Sequence, residues 1–287
     1  MSCAITIGKF ESIHLGHRAL LTEVKQQAAM HGLSSAAIIF DPHPHTYFSN
    51  AEYKSLFTFA EREHILPKLD HVHYLPFDKM LAELTPQAFC KLLFETYNAK
   101  IVIVGENFRF GKDRAGDIST LQAEAMFYNA AVHVMPPSCS NMQQISTSGI
   151  RHLIAESNIT GAAQLLGFPF FMMGVAEQGK QLGHTLGFPT LNIYPSHSKF
   201  LPPNGVYISQ TTINDAIYSG ITNIGVRPTV SNTQKISVET HMPEYTGQDL
   251  YGVNAKVELL SFVRTERRFA SIDELKAQIA EDIKAIK

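Results

Sequence analysis

The chain has 287 residues, 45 % hydrophobic and 17 % charged, with 24 Lys+Arg against 26 Asp+Glu for a formal charge of −2. That length suggests about two domains, each able to bury its own core, and the hydrophobic content excludes a disordered chain. The near balance of charge, without a dense basic run, disfavours nucleic-acid binding, and no window approaches the roughly 20 apolar residues of a membrane span. Three widely spaced cysteines, Cys3, Cys90 and Cys139, contain no Cys-x-x-Cys. They point to a reducing cytoplasm rather than to a disulfide framework or a zinc site.

The first half alternates strand-like and helix-like signals. "AITIG" (4–8) is a short apolar run ending in glycine, and 17–31 repeats Leu20, Leu21, Val24 and Ala28 at helical spacing. "SAAIIF" (35–40), "HVHYLPF" (71–77), "KIVIVG" (100–105) and "AVHVMP" (131–136) read as further strands. Helices are expected at 61–69, 85–97 and 117–129, with Thr85 as N-cap and Pro86 at the first position of the second. This alternation predicts a Rossmann-like parallel sheet with right-handed crossovers.

After about residue 167 the texture changes to short β-rich runs spaced by glycine and proline: "FFMMGVAEQG", "NGVYISQTTI", "KISVETHMP" and "NAKVELLSFV". They predict an antiparallel β-barrel or sandwich closed by a terminal helix at 271–285, with Ser271 as N-cap and Glu274 completing a capping box. The expected domains are 1–167 and 168–287.

Ligands of parallel sheets bind outside the carboxyl ends of the strands, which is where "GKFESIHLGH" (8–17) falls. Gly16 lets backbone approach closely, a helix start offers unpaired N–H groups, and His14 and His17 can donate to phosphate charge. As a zinc site the pair lacks further ligands at short spacing. "GENFRFGKD" only superficially suggests a phosphate loop, because five residues separate Gly105 from Gly111 and Asp113 stands in place of Ser/Thr. "DPHPH" (41–45) reads as an extended strand-end loop bearing His43.

These motifs carry a resemblance. "GKFESIHLGH", "FDPHPHTYF" (40–48), "LTPQAFCKLL" (84–93), "VGENFRFGKDRAGD" (104–117) and "ISTSGIR" (145–151) resemble, in order, the nucleotidyltransferase domain of bacterial bifunctional riboflavin kinase/FAD synthetases. "GVAEQGKQLGHTLGFPTLNI" (174–193), "NGVYI", "TNIGVRPTV", "VETH" and "DLYG" resemble the kinase domain of the same family. The resemblance implies phosphorylation of riboflavin to FMN by the barrel and adenylylation of FMN to FAD by the first domain. ATP, riboflavin and FMN are then the small-molecule partners and Mg²⁺ the metal.

Residue by residue, the resemblance places nucleotide contacts at Gly8, Phe10, Gly16, Ser146, Thr147, Ser148 and Arg151, and in the kinase half at Gly179, Gly183, Gly187 and Pro189. Asn107 and Arg109 fall on the flavin side of the first site. His14 and His17 would stabilise the transition state of a reaction in which the FMN phosphate attacks the α-phosphorus of ATP. Thr190 and Asn192, at i and i+2 in an extended segment, present oxygens on one face and suit Mg²⁺. Glu239 is the available carboxylate, and the catalytic base of the family falls on it.

Three departures from the pattern stand out. Lys9 replaces a small or polar residue, Glu11-Ser12 replaces Asp-Gly with loss of glycine's freedom at φ > 0, and Gly149 replaces an arginine and its five donors. The kinase positions show none. Two other readings stay open here: a kinase whose first domain has lost most transferase activity, and a flavin-sensing regulatory protein.

Overall fold

The computed structural model describes all residues except 49–52, 138, 141–142, 178–189, 228–234, 247–249, 268 and 287, and except the side chains of Ser140, Gln143, Gln144, Arg227 and Lys235. The chain divides into two compact units, Met1–Tyr53 with Arg62–Thr147 and Lys54–Glu61 with Ser148–Lys287.

In chain order the first unit holds β1 (Cys3–Gly8), α1 (Leu15–His31), β2 (Ser34–Phe40) and α2 (Pro44–Phe48). After α3 (Phe59–Ile65), which begins in the other unit, come β3 (His71–Leu75), α4 (Lys79–Ala82), α5 (Pro86–Lys91), β4 (Ala99–Gly105), α6 (Ile118–Phe127) and β5 (Ala131–Met135). A two-stranded ribbon follows, β6 (Cys139–Ser140) with β7 (Gln143–Gln144). The five longer strands are parallel in the order β3-β2-β1-β4-β5. The order reverses between β1 and β4, so the loops leaving those two strands flank the natural ligand crevice.

The central strands are nearly continuous apolar runs because both faces are covered. On one face Ile5, Ile7, Val102 and Val104 pack with Phe89, Leu93 and Leu121. On the other, Ala4, Ile101 and Ile103 meet Val24 and Ala28 of α1.

Caps set the helix ends. His14 accepts from the His17 N–H, and Gly32 closes α1 at φ 63°. Thr85 caps α5 as expected, but the helix reaches only Lys91 before a π-turn over Leu92–Thr96. "DPHPH" also differs from its extended reading. His43 lies in a loop, but Pro44 opens α2, because a proline's fixed φ and missing N–H suit the first helical position.

The second unit contains α7 (Thr147–Ala155), whose first residue closes the first unit, then α8 (Ile159–Leu166), β8 (Phe170–Val175) and β9 (Thr190–Ile193). The long strands β10 (Gly205–Ile213), β11 (Ala216–Arg227), β12 (Lys235–His241) and β13 (Asn254–Arg264) precede α9 (Ile272–Ile283). The antiparallel sheet runs β8-β13-β10-β11-β12-β9. Its ends meet: the Glu177 N–H donates to the Asn192 carbonyl at 2.8 Å, and a Cβ at Gly174 would stand 3.3 Å from the Ile193 Cβ. That closure makes the expected barrel.

Asn214 and Asp215, both at positive φ, make the two-residue turn between β10 and β11. Ser271 caps α9 by accepting from the Glu274 N–H, while the Glu274 carboxylate accepts from the Ala270 N–H. Segment 54–61 joins this unit through a buried ion pair between Glu61 and Lys199.

Candidate functional site

Two groups of side chains have chemistry to offer, one in each unit. In the first, β1 ends at Gly8 and the chain turns through Phe10 (φ 42°) and Ile13 (φ 43°) before His14 opens α1. A Cβ at Gly8 would lie 3.0 Å from the Phe10 ring, so only glycine leaves that ring its place. Phe10 in turn packs on His17, with ring centroids 5.1 Å apart, and the His14 and His17 rings stack at 3.8 Å.

Because His14 Nδ1 accepts a backbone N–H, the neutral ring carries its proton on Nε2 and presents a donor there. Burial pushes the His14 pKa down to about 4 and that of His17 well below its usual value, with the His14 charge adding to the effect at His17. Both imidazoles are therefore neutral near pH 7. Among the described residues His17 Nδ1 is buried without a hydrogen-bond partner, the kind of atom a bound ligand satisfies.

The Glu11-Ser12 departure resolves locally. Ser12 is not among the positive-φ residues, so the lost glycine freedom costs nothing. Its hydroxyl lies 2.9 Å from the Thr147 hydroxyl, joining the first motif to "ISTSGIR". Glu11, buried, accepts from the Tyr53 hydroxyl at 2.5 Å and lies 3.6 Å from His43 Nε2.

Asn107 and Arg109 are exposed in the loop after β4, at the same carboxyl end of the sheet as the β1–α1 loop that carries His14; the Arg109 guanidinium donates to the Phe108 carbonyl. Ser146 is exposed just before α7. Ser148 and Arg151 lie in the second compact unit, where Arg151 donates to the Lys54 carbonyl and covers the Phe200 ring. Gly179, Gly183, Gly187 and Pro189 lie outside the described residues.

In the second unit, register assembles the site. Asn192, Glu239, Asn223, Val206 and Arg264 stand opposite one another in a single row across β9, β12, β11, β10 and β13. One pleat along, Thr190, His241 and Ile221 form the neighbouring row on the same face. Asn192 donates to both Thr190 oxygens, and the Ser237 hydroxyl donates to Glu239 at 3.2 Å.

These rows floor a cavity of about 240 Å³ lined by Thr190, Val206, Ile221, Asn223, Glu239 and His241. Arg264, Glu266, Arg267 and Phe269 of the segment leaving β13, with Leu275, Ile279 and Asp282 of α9, complete it. Glu266 accepts from the Asn223 amide, and its carboxylate lies over Gly225, where any side chain would collide with it. Sequence reasoning brought out Thr190, Asn192 and Glu239 but missed Asn223, His241, Arg264, Glu266 and Asp282. An acid in the last turn of a helix, as at Asp282, was the one available signal.

A parallel-sheet domain with a donor-rich strand-to-helix loop, followed by a barrel with a carboxylate-lined cavity, defines a two-domain enzyme of phosphate chemistry. Residues 1–149 match the FAD synthetase family model and residues 166–287 the riboflavin kinase model. The chain belongs to the bifunctional riboflavin kinase/FMN adenylyltransferase family. It is 36 % identical to the protein of that name from Escherichia coli K12, over 98 % of this chain and 90 % of the other. The Haemophilus influenzae relative is 33 % identical over 99 % and 93 %, and the Bacillus subtilis one 30 % over 97 % and 89 %.

A crystal structure from Streptococcus pneumoniae, described as a macrolide-efflux protein, aligns with a TM-score of 0.89 at 26 % identity over 99 % of this chain and 94 % of its own. Among the described residues of the present chain, no helix is long and apolar enough to cross a membrane.

Proposed function

We propose that the chain phosphorylates riboflavin to FMN in its C-terminal part, 168–287, and adenylylates FMN to FAD in its N-terminal part, 1–167. The observation that carries the reading is the row placing Glu239 between Asn192 and Asn223 at the floor of the cavity. Glu239, oriented by Ser237, takes the proton of the ribityl hydroxyl as that oxygen attacks the γ-phosphorus of ATP, the bond to the β,γ-bridging oxygen breaks and ADP leaves.

Among the described residues, no cluster of three or more His, Cys, Asp or Glu could hold a metal ion. Thr190 and Asn192 are neighbours, the Asn192 amide donating to Thr190 Oγ1 at 3.3 Å, and each side chain carries one hard oxygen of the kind that fits Mg²⁺ sharing its shell with phosphates and water. When bound, that ion would neutralise phosphate charge, and Thr190 and Asn192 would hold it.

At the first site no side chain need act as nucleophile. Neutral His14 and His17 donate to the charge developing on the ATP phosphates, the β1–α1 loop brings its backbone close to them, and Ser146, Thr147, Ser148 and Arg151 bind phosphate oxygens. Asn107 and Arg109 meet the flavin phosphate. Buried free thiols at Cys3 and Cys90 support the cytoplasmic setting that belongs to this reading.

The test is purified protein with riboflavin, ATP and Mg²⁺, products followed in time. FMN should appear before FAD. Glu239→Gln should lower FMN formation by about 10²-fold or more, as loss of a general base does, yet leave FAD formation from supplied FMN. Absence of FMN with wild type would overturn the kinase assignment, and absence of FAD from supplied FMN the adenylyltransferase assignment.

A further inference from the structure

Asp282 is placed where local rules disfavour it. It is the penultimate residue of α9, against the negative end of the helix dipole, and its side chain is only 4 % exposed. On the same face, Leu275 and Ile279 precede it at i−7 and i−3, the spacing of a stripe that would ordinarily continue with a third apolar residue. All three line the cavity that Glu239 floors.

The carboxylate is held by a fork. Arg264 Nε donates to Oδ1 at 3.0 Å and Nη2 to Oδ2 at 2.7 Å, while the Gln278 amide donates to Oδ1 at 2.7 Å. Arg264 closes β13, stands in the same cross-strand row as Glu239, and donates from Nη1 to the Thr265 carbonyl where the chain leaves the barrel. An apolar contact could have docked the helix, but it would not set position along or around the axis. A bidentate guanidinium–carboxylate pair does, because both groups are planar and directional.

We infer that Asp282 is a positioning residue for riboflavin: by clamping Arg264 it fixes α9 as the wall of the cavity against which the flavin ring system is held while its ribityl hydroxyl reaches Glu239. The inference rests on the kinase assignment above and deepens it. It assigns the pair to the flavin, because Arg264 and Asp282 fix α9 and the start of the segment leaving β13 rather than β9, which carries Thr190 and Asn192 for the nucleotide.

The experiment uses the full-length protein and the variants Asp282→Asn and Arg264→Lys. Quenching of riboflavin fluorescence gives Kd without turnover, and steady-state phosphorylation gives kcat and the two KM values. Asp282→Asn should raise the riboflavin Kd and KM about tenfold, leaving kcat within about twofold and the ATP KM unchanged. Arg264→Lys keeps the charge but loses the fork, and should raise the riboflavin Kd about threefold. A purely structural role would lower the melting temperature without moving the riboflavin Kd, or would shift both KM values together; either result overturns the inference. If Asp282→Asn does not fold, an unchanged riboflavin Kd in Arg264→Lys overturns it. If wild type binds riboflavin but makes no FMN, the kinase assignment fails, and the Kd comparison still decides the role of the pair.

Discussion

Ser12 Oγ lies 2.9 Å from Thr147 Oγ1, a hydroxyl pair that joins two motifs 135 positions apart. Ser12 is fully buried and Thr147 half-buried, so removing the Ser12 hydroxyl takes a buried partner from Thr147. Ser12→Ala should lower kcat/KM for FMN adenylylation about fivefold, the equivalent of one net hydrogen bond, without affecting riboflavin phosphorylation. Thr147→Val in the Ser12→Ala background should cost less than it does alone, which a double-mutant cycle of FAD formation will measure.

Gly8→Ala probes the other end of the same loop. The added methyl would meet the Phe10 ring at 3.0 Å, and Phe10, only 1 % exposed and packed on His17, cannot yield without disturbing its neighbours. Displacement of a charge-stabilising imidazole should cut FAD formation by about tenfold or more, with FMN formation from riboflavin as the unaffected control.

The stacked histidines also make an acid-labile element. Burial lowers the His14 pKa to about 4 in the folded chain from an ordinary value of 6.5, and it holds His17 well below that ordinary value. Between those values the unfolded chain binds more protons than the folded one, so stability present at pH 7 is lost as pH falls from 6.5 toward 4. Urea midpoints measured from pH 7 to pH 5 should therefore fall more steeply for wild type than for His14→Asn/His17→Asn.

Lys199 anchors the second unit to segment 54–61. Its ammonium donates to Glu61 Oε2 and the Leu56 carbonyl, each at 2.7 Å, and to the Phe171 carbonyl at 2.8 Å, beneath the Phe57 and Phe170 rings. Glu61 spends its other oxygen on the Met173 N–H. Glu61→Gln strands a fully buried cation and should destabilise by about 3–5 kcal/mol in urea unfolding. Glu61→Leu/Lys199→Met, which removes both charges, should recover most of that loss, since an apolar pair carries no desolvation cost.

Local signals were legible where a single short stretch determines its own conformation. Apolar runs at 4–8 and 100–105, the Thr85 and Ser271 caps and the β-rich texture after 167 each announced an element that the structure contains. The π-turn at Leu92–Thr96 was not legible, because its residues suit an α-helix equally well. Helix α7 begins inside "ISTSGIR" and α8 follows without a motif of its own, so neither was announced as a helix. Pro44 was read as extending the chain, although the same residue is favoured at a helix start.

The sequence by itself determined which chemistry the chain could carry: a histidine pair after the first strand, an oxygen pair at Thr190 and Asn192, and a carboxylate at Glu239. Each is announced by residue type and close spacing. Only the tertiary structure decided which groups face them. Asn223, Arg264 and Asp282 reach the cavity of Glu239 through cross-strand register and the docking of α9, and Ser12 meets Thr147 across most of the first unit. Such partners are set by hydrogen-bond ladders and packing between distant segments, so, apart from the acid in the last turn of α9, nothing in their immediate neighbourhoods marks them in advance.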